Sequence, residues 1–163
     1  MTNQNLDLSK LILRFGSVTE NQINIPLVAG ADLSKYQSKA VSPNLMFHYA
    51  GLHWTLTSAT ESLSANGKQA STGMIYITVT LKAVYPSANN FSAYPGDYMR
   101  LQSGGSKSPP SNFTFSTSVA SQSNASGTVT FAMPQGGNSF TLLMLAQQSS
   151  PPITGASVTF QIQ

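Results

Sequence analysis

The sequence predicts an all-β protein, an immunoglobulin-like antiparallel β-sandwich of seven to nine strands. Several segments alternate apolar and polar residues with a period of two, which places one face of each strand on a core. Turn signals rich in Gly, Pro, Asn and Ser separate these segments at short intervals. No apolar stripe at helical spacing persists for three turns. These observations favour two packed sheets, with a closed barrel as the second choice.

The strands can be placed in order along the chain. The clearest is MIYITVTLKA, in which alternate residues from Ile75 to Leu81 share one face, and the C-terminal SVTFQIQ repeats the pattern. GTVTFAMPQGGNSFTLLML predicts a hairpin that turns at PQGGN. Leu143 and Leu145 indicate that its second strand is covered on both faces or lies near the middle of its sheet. Shorter strands are predicted in INIPLV, DYMRLQS and NFTFSTSV, and one or two helical turns in ADLSKYQSKA.

The alternation is weaker at the start of the chain. We therefore predict a single sandwich domain over residues 43–163. It is preceded by an extended N-terminal segment, residues 1–42, which either adds an edge strand or packs loosely.

Composition limits the function classes. Only 8% of the residues are charged, and the net charge of +3 comes from eight basic residues scattered singly along the chain. Nucleic-acid binding requires basic side chains gathered on one face, so we expect no nucleic-acid partner. There is no cysteine, and no apolar window is long enough to span a membrane. A surface rich in hydroxyls and amides is common on exported and particle-forming β proteins.

Both histidines lie in FHYAGLHWT. In an uninterrupted strand His48 and His53 point to opposite faces, and only a break at Ala50-Gly51 brings the two imidazoles to one metal ion. No third ligand lies nearby, since the closest acid is Glu61. Zinc requires three or four convergent ligands, so the sequence predicts no metal site.

The same segment supplies a core position. Alternation in LHWTLTS places Trp54 on the inward face with Leu52 and Leu56, and leaves His53 on the solvent side. No serine lies in a G-x-S-x-G turn, and the five acidic residues show no opposed pair. We therefore expect no catalytic residues, no cofactor and no enzymatic activity.

One loop is rich in aromatic residues. AVYPSANNFSAYPGDY carries Tyr85, Phe91, Tyr94 and Tyr98, which are the candidate ligand-binding residues. Loop aromatics at the end of a sandwich can form a platform for a carbohydrate or peptide. The simpler interpretation is that they plug the open end of the sandwich.

Four segments also carry a family resemblance: HWTLTSATESL, GMIYITVTLKAVYPS, GDYMRLQSGGSKSPPSN and SGTVTFAMPQGGNSFTLLMLA. In this order they resemble the telokin-like immunoglobulin-fold family of bacterial exported proteins and lipoproteins, over about Leu52 to Leu145. The sequence departs from the family pattern at Ala83 and at SQSNAS, and it carries no lipoprotein signal. The resemblance implies the fold and an extracellular or cell-surface location, and it transfers no catalytic residue, because the family's function is undetermined.

Two functions remain as expectations. The first is a non-catalytic extracellular or cell-surface module that binds an unknown protein or glycan or has a structural role. The alternative is a subunit of a viral or phage particle or fibre, with the first forty residues as an assembly arm.

Overall fold

The computed structural model of the chain describes residues 7, 10–86 and 90–163. Part of the predicted N-terminal segment and residues 87–89 of the aromatic loop lie outside the described residues. The strands are β1 (Ile12–Phe15), β2 (Ile23–Pro26), β3 (Lys39–Val41), β4 (Leu45–Tyr49), β5 (Leu52–Ser62), β6 (Ser64–Ala65), β7 (Lys68–Gln69), β8 (Met74–Val84), β9 (Phe91–Ser92), β10 (Met99–Ser103), β11 (Ser106–Ser108), β12 (Pro110–Phe113), β13 (Ser118–Val119), β14 (Asn124–Pro134), β15 (Ser139–Met144) and β16 (Ala156–Gln161). A short helix, α1 (Pro95–Tyr98), precedes β10.

Two antiparallel sheets form the body of the protein. The large sheet has the order β12–β14–β8–β5, and both β3 and β4 pair along the outer edge of β5. The small sheet has the order β11–β10–β15–β16. Because β3 and β4 share one edge position, the described sandwich has nine strand positions. The predicted all-β antiparallel sandwich is confirmed.

The core lies between the inward faces of these sheets. On β8 the side chains of Ile75, Ile77, Val79 and Leu81 alternate with half-buried or exposed neighbours, as the pattern in MIYITVTLKA predicts. Trp54 on β5 has no exposed surface, so its predicted core position is confirmed.

The predicted hairpin over GTVTFAMPQGGNSFTLLML is wrong. β14 pairs with β8 and β12 in the large sheet, whereas β15 pairs with β10 and β16 in the small sheet. After β14, the backbone N–H of Gln135 donates to Gly73 O at 2.9 Å, and the chain then crosses to the other layer. Two strands that face each other across a core show the same inward alternation as two strands that pair, so periodicity does not separate these arrangements. The expected central position of the second strand is correct, because β15 lies between β10 and β16.

The described part of the N-terminal segment contributes two features. β3 pairs with β5, with Lys39 opposite Glu61. Before it, β1 and β2 form a two-stranded sheet, here called the N-terminal hairpin, which lies outside both main sheets. The expected helical turns in ADLSKYQSKA reduce to one 3₁₀ turn at Ser34–Tyr36.

The turn of the N-terminal hairpin is tied to the sandwich. Asn21 N–H donates to Ala70 O at 2.9 Å, and Thr72 N–H donates to Thr19 O at 3.0 Å. Nevertheless, the hairpin exposes a set of large apolar side chains: Ile12, Leu13, Phe15, Val18, Leu27 and Val28. Within the described residues, no helix has the length and apolarity needed to cross a bilayer.

We expect Gly127→Ala to destabilise the fold by about 2 kcal/mol, because overpacking of a closely packed site costs energy of this order. A Cβ at Gly127 would lie 2.5 Å from Phe115 Cα, and this backbone is fixed by the packing of the Phe115 ring on Trp54. Gly137→Ala is the matched control, since its nearest neighbour is the Ser103 hydroxyl oxygen, which can rotate away. Urea unfolding measures both variants, and equal losses of stability would contradict this account.

Candidate ligand-binding cleft

Aromatic rings close one end of the sandwich around Trp54. The Trp54 ring lies 5.1 Å from Phe115, 6.4 Å from Tyr98 and 6.5 Å from Phe91, measured between centroids. Tyr49 stacks on Tyr98 at 5.5 Å. We call these five residues the aromatic cluster. The contacts place rings from the large sheet, from β9, from α1 and from the segment after β12 in a single interior.

The four candidate residues of the aromatic loop do not form a single platform. Tyr85, Phe91 and Tyr98 are buried, and Phe91 and Tyr98 belong to the aromatic cluster. Tyr94 is 54% exposed and packs edge-on against Phe113 at 4.9 Å. The positions of the three buried residues support a plug, whereas Tyr94 alone offers an exposed ring. Their role in ligand binding stays a prediction.

Two buried tyrosine hydroxyls in the cluster have different environments. The Tyr49 hydroxyl donates to Leu145 O at 2.9 Å, and burial raises the pKa of Tyr49 to about 12. The Tyr98 hydroxyl has no hydrogen-bond partner among the described residues. Burial, reinforced by the nearby Tyr49, raises the pKa of Tyr98 even further. Both phenols are therefore neutral acids near pH 7 and are poorly suited to proton transfer.

Beside the aromatic cluster lies a cleft of about 810 Å³, here called the end cleft. One wall is formed by the β4–β5 turn with His48, and another by Tyr85, Asn90 and Phe91. The remaining wall is the loop over residues 147–155, which is held by paired backbone hydrogen bonds between Gln147 and Ile153, both at 3.0 Å. Tyr94 does not line the cleft.

The walls of the end cleft combine apolar side chains with polar groups of the amide and hydroxyl type. Among its described lining residues there is no Asp, Glu, Lys or Arg. Its polar groups are the amides of Asn90 and Gln147 and the hydroxyls of the serines and Thr154. A smaller cavity of about 200 Å³ at the other end of the sandwich has charged walls, with Lys35 and Glu61.

Sequence reasoning missed the 147–155 wall of the end cleft. The motif SSPPITG predicts only a turn. In the structure this turn lies between β15 and β16, at the end of the sandwich. No local pattern indicates that this turn lies near Phe91, because the two segments are far apart in the chain.

The histidine pair differs from the expectation for an uninterrupted strand. Ala50 and Gly51 form the turn between β4 and β5, and His48 lies directly opposite His53. The two rings are 4.6 Å apart between centroids and both residues are exposed. Among the described residues there is no group of three His, Cys, Asp or Glu side chains that could hold a metal ion.

We expect Tyr98→Phe to raise the free energy of unfolding by about 1 kcal/mol, because it removes a buried hydroxyl that has no partner. Tyr49→Phe is the matched control and should lower it by about 1 kcal/mol, because Leu145 O then loses its donor. Thermal and urea unfolding measure both. A loss of stability in Tyr98→Phe equal to that in Tyr49→Phe would show that the Tyr98 hydroxyl is satisfied.

Comparisons with known proteins indicate the fold. No protein-family model matches the chain. No curated protein matches it either. A Bacillus subtilis structure described as a "putative lipoprotein (ycdA)" superposes on this chain with a TM-score of 0.56 and 10% sequence identity. The superposition covers 71% of this chain but only 38% of the Bacillus subtilis chain. A functionally unknown protein from Listeria monocytogenes superposes with a TM-score of 0.52 and 11% identity, over 76% of this chain and 88% of the other. At these identities the likeness concerns the fold alone.

Proposed function

We propose that this protein is a non-catalytic, cell-surface or exported immunoglobulin-like module that binds an uncharged glycan in the end cleft. The observation that carries the proposal is the uncharged lining of a cleft of about 810 Å³. This volume is within the range of small-molecule and oligosaccharide sites, about 300–1,000 Å³. Hydrogen bonds to the amides and hydroxyls of such walls can replace those that a neutral polyol makes to water, whereas a charged ligand would lack a partner of opposite charge.

The chemistry of the walls fits a sugar. Amide groups at Asn90 and Gln147 and hydroxyls at Ser92, Ser149 and Thr154 can donate to or accept from sugar hydroxyls. The wall with Tyr85 and Phe91 forms the floor of the cleft. Both rings are buried except for small edges that face the cleft, and these edges add apolar contact. The aromatic cluster packs beneath the floor and holds it in place. Because the floor is already ordered, less entropy is lost when a ligand binds to it.

Two lines of support favour an exported module. The sequence segments from about Leu52 to Leu145 resemble telokin-like immunoglobulin-fold domains of exported bacterial proteins and lipoproteins. The Bacillus subtilis protein of similar fold carries the word lipoprotein in its description.

Thr154→Trp tests the proposal. Thr154 is exposed and lines the end cleft, so an indole at this position narrows the cleft without disturbing the core. On an array of neutral oligosaccharides, we expect the unmodified chain to bind at least one glycan and Thr154→Trp to lose at least about tenfold in affinity. Tyr94→Ala is the matched control: it removes an exposed ring that lies outside the cleft, and it should leave binding unchanged.

The opposite pattern would contradict the cleft assignment. Binding lost in Tyr94→Ala and kept in Thr154→Trp would place the ligand on Tyr94. If the unmodified chain binds an extended peptide and no neutral glycan, the ligand is a peptide and the glycan proposal is wrong.

The N-terminal hairpin favours a second function, that of a subunit in a particle or fibre. A two-stranded hairpin on its own is at best marginally stable in water, and strand β1 of this one carries exposed apolar side chains, including Leu13 and Phe15. Such a hairpin gains stability when another chain covers it.

Sedimentation, which reports the size of the assembled particle, tests this second function. We expect assembly at tens of micromolar if the hairpin is an assembly arm, and a return to monomer in Leu13→Ser with Phe15→Ser, because these changes remove apolar contact area. Ser106→Ala on the edge strand β11 is a control that leaves the hairpin intact. A sharp monomer for the unmodified chain would exclude the assembly function.

A further inference from the structure

The outer face of the β4–β5 hairpin brings both histidines together. Ala50 and Gly51 have φ values of +55° and +76°, as a tight two-residue turn requires. This turn places His48 on β4 directly opposite His53 on β5. Their rings lie 4.6 Å apart at an interplanar angle of 76°. The imidazoles therefore share one solvent-facing surface, and neither makes a hydrogen bond among the described residues.

Met46 lies on this same surface. It is two residues before His48 on β4, and alternate residues of a strand share a face. Its side chain is 82% exposed, so packing in the core does not account for it. Two residues along a strand span about 6.6 Å, and the diagonal to the opposite strand is about 7–8 Å. A methionine side chain, with its flexible thioether, covers such distances.

Two imidazoles, which are borderline donors, and a thioether, which is a soft donor, form the proposed donor set. Carboxylates are required for Ca²⁺ or Mg²⁺, and this face of β4 and β5 presents none at Met46, His48, His53 or Thr55. Imidazole binds many transition metals, whereas a thioether favours Cu(I). We propose that Met46, His48 and His53 together bind one Cu(I) ion on the outer face of the β4–β5 hairpin.

The surroundings permit a cation. On the neighbouring strand β8, Val84 lies beside His53, and Lys82 lies beside Thr55. Lys82 is the charged residue that this strand contributes to the face, and its exposed ammonium group can turn away into water. On the other side of the turn, the end cleft adds no charged residue among its described lining.

The sequence predicts no metal site because it offers no third His, Cys, Asp or Glu near the pair. This criterion of three ligands, applied to the described residues, covers only His, Cys, Asp and Glu. Methionine lies outside that donor set, and nothing in the sequence alone indicates that Met46 is exposed. The proposal therefore depends on the turn at Ala50-Gly51 and on the exposure of Met46, both of which only the structure supplies.

Anaerobic titration of the full chain with Cu(I), against a chromogenic Cu(I) chelator, tests the proposal. We expect one Cu(I) per chain. His48→Asn with His53→Asn should abolish binding, and Met46→Leu should weaken Cu(I) binding by at least about tenfold. Met74→Leu, at the far end of β8, is the matched methionine control and should bind as the unmodified chain does.

Thermal unfolding provides a second readout. All three proposed ligands are exposed, so the variants should keep the unmodified melting temperature, which thermal unfolding checks. An unmodified chain that leaves all Cu(I) with the chelator would overturn the proposal, and so would Met46→Leu with unchanged affinity.

Discussion

The packing of Trp54 between the two sheets is the interaction on which the rest of the structure depends. Its side chain is fully buried, its indole N–H donates to Tyr49 O at 3.1 Å, and its ring contacts Phe115 at 5.1 Å. A buried aromatic side chain removes about 150–250 Å² from water, so this residue contributes strongly to the stability of the core. Because Tyr49 precedes the β4–β5 turn, the hydrogen bond also fixes that turn. The floor of the end cleft and the histidine pair are both positioned from this point.

The outer faces of the sheets are held by hydroxyl pairs more than by ion pairs. Thr78 and Thr130 oxygens lie 3.0 Å apart, Ser58 and Thr80 lie 2.9 Å apart, and a similar pair at 2.9 Å joins β15 to β16. Such cross-strand pairs contribute a few tenths of a kcal/mol to about 1 kcal/mol each. They explain how a chain with 8% charged residues keeps a polar surface. The same low charge continues into the described lining of the end cleft, which contains no Asp, Glu, Lys or Arg.

Strands and core residues were predictable where alternation was strong. Ile77 and Trp54 are buried because each lies on the apolar face of a strand in which apolar and polar side chains alternate. The pairing of β14 was not predictable, since strands that pair and strands that face each other across the core show the same pattern. For the histidine pair, the sequence named a break at Ala50-Gly51 as the condition that brings the imidazoles together, but it did not establish that this break forms. The Ala50-Gly51 turn reverses the chain, and a two-residue turn containing alanine at positive φ is an uncommon signal.

The candidate site was only partly predictable. The aromatic loop was recognised from its composition, but composition does not tell a buried ring from an exposed one. Tyr94 and Tyr98 differ in this respect although they are four residues apart. The remaining wall, over residues 147–155, is the loop between β15 and β16, and its position beside Phe91 became known only from the structure.

Hydrogen exchange of the Trp54 indole proton, followed by NMR, tests the central claim most directly, because the chain contains a single tryptophan. If the indole lies in the core and donates to Tyr49 O, its proton should exchange only through global unfolding, with the same free energy as the most protected backbone amides of β8. Exchange within minutes at neutral pH, while those amides stay protected, would show that Trp54 is accessible and that the sandwich does not close around it.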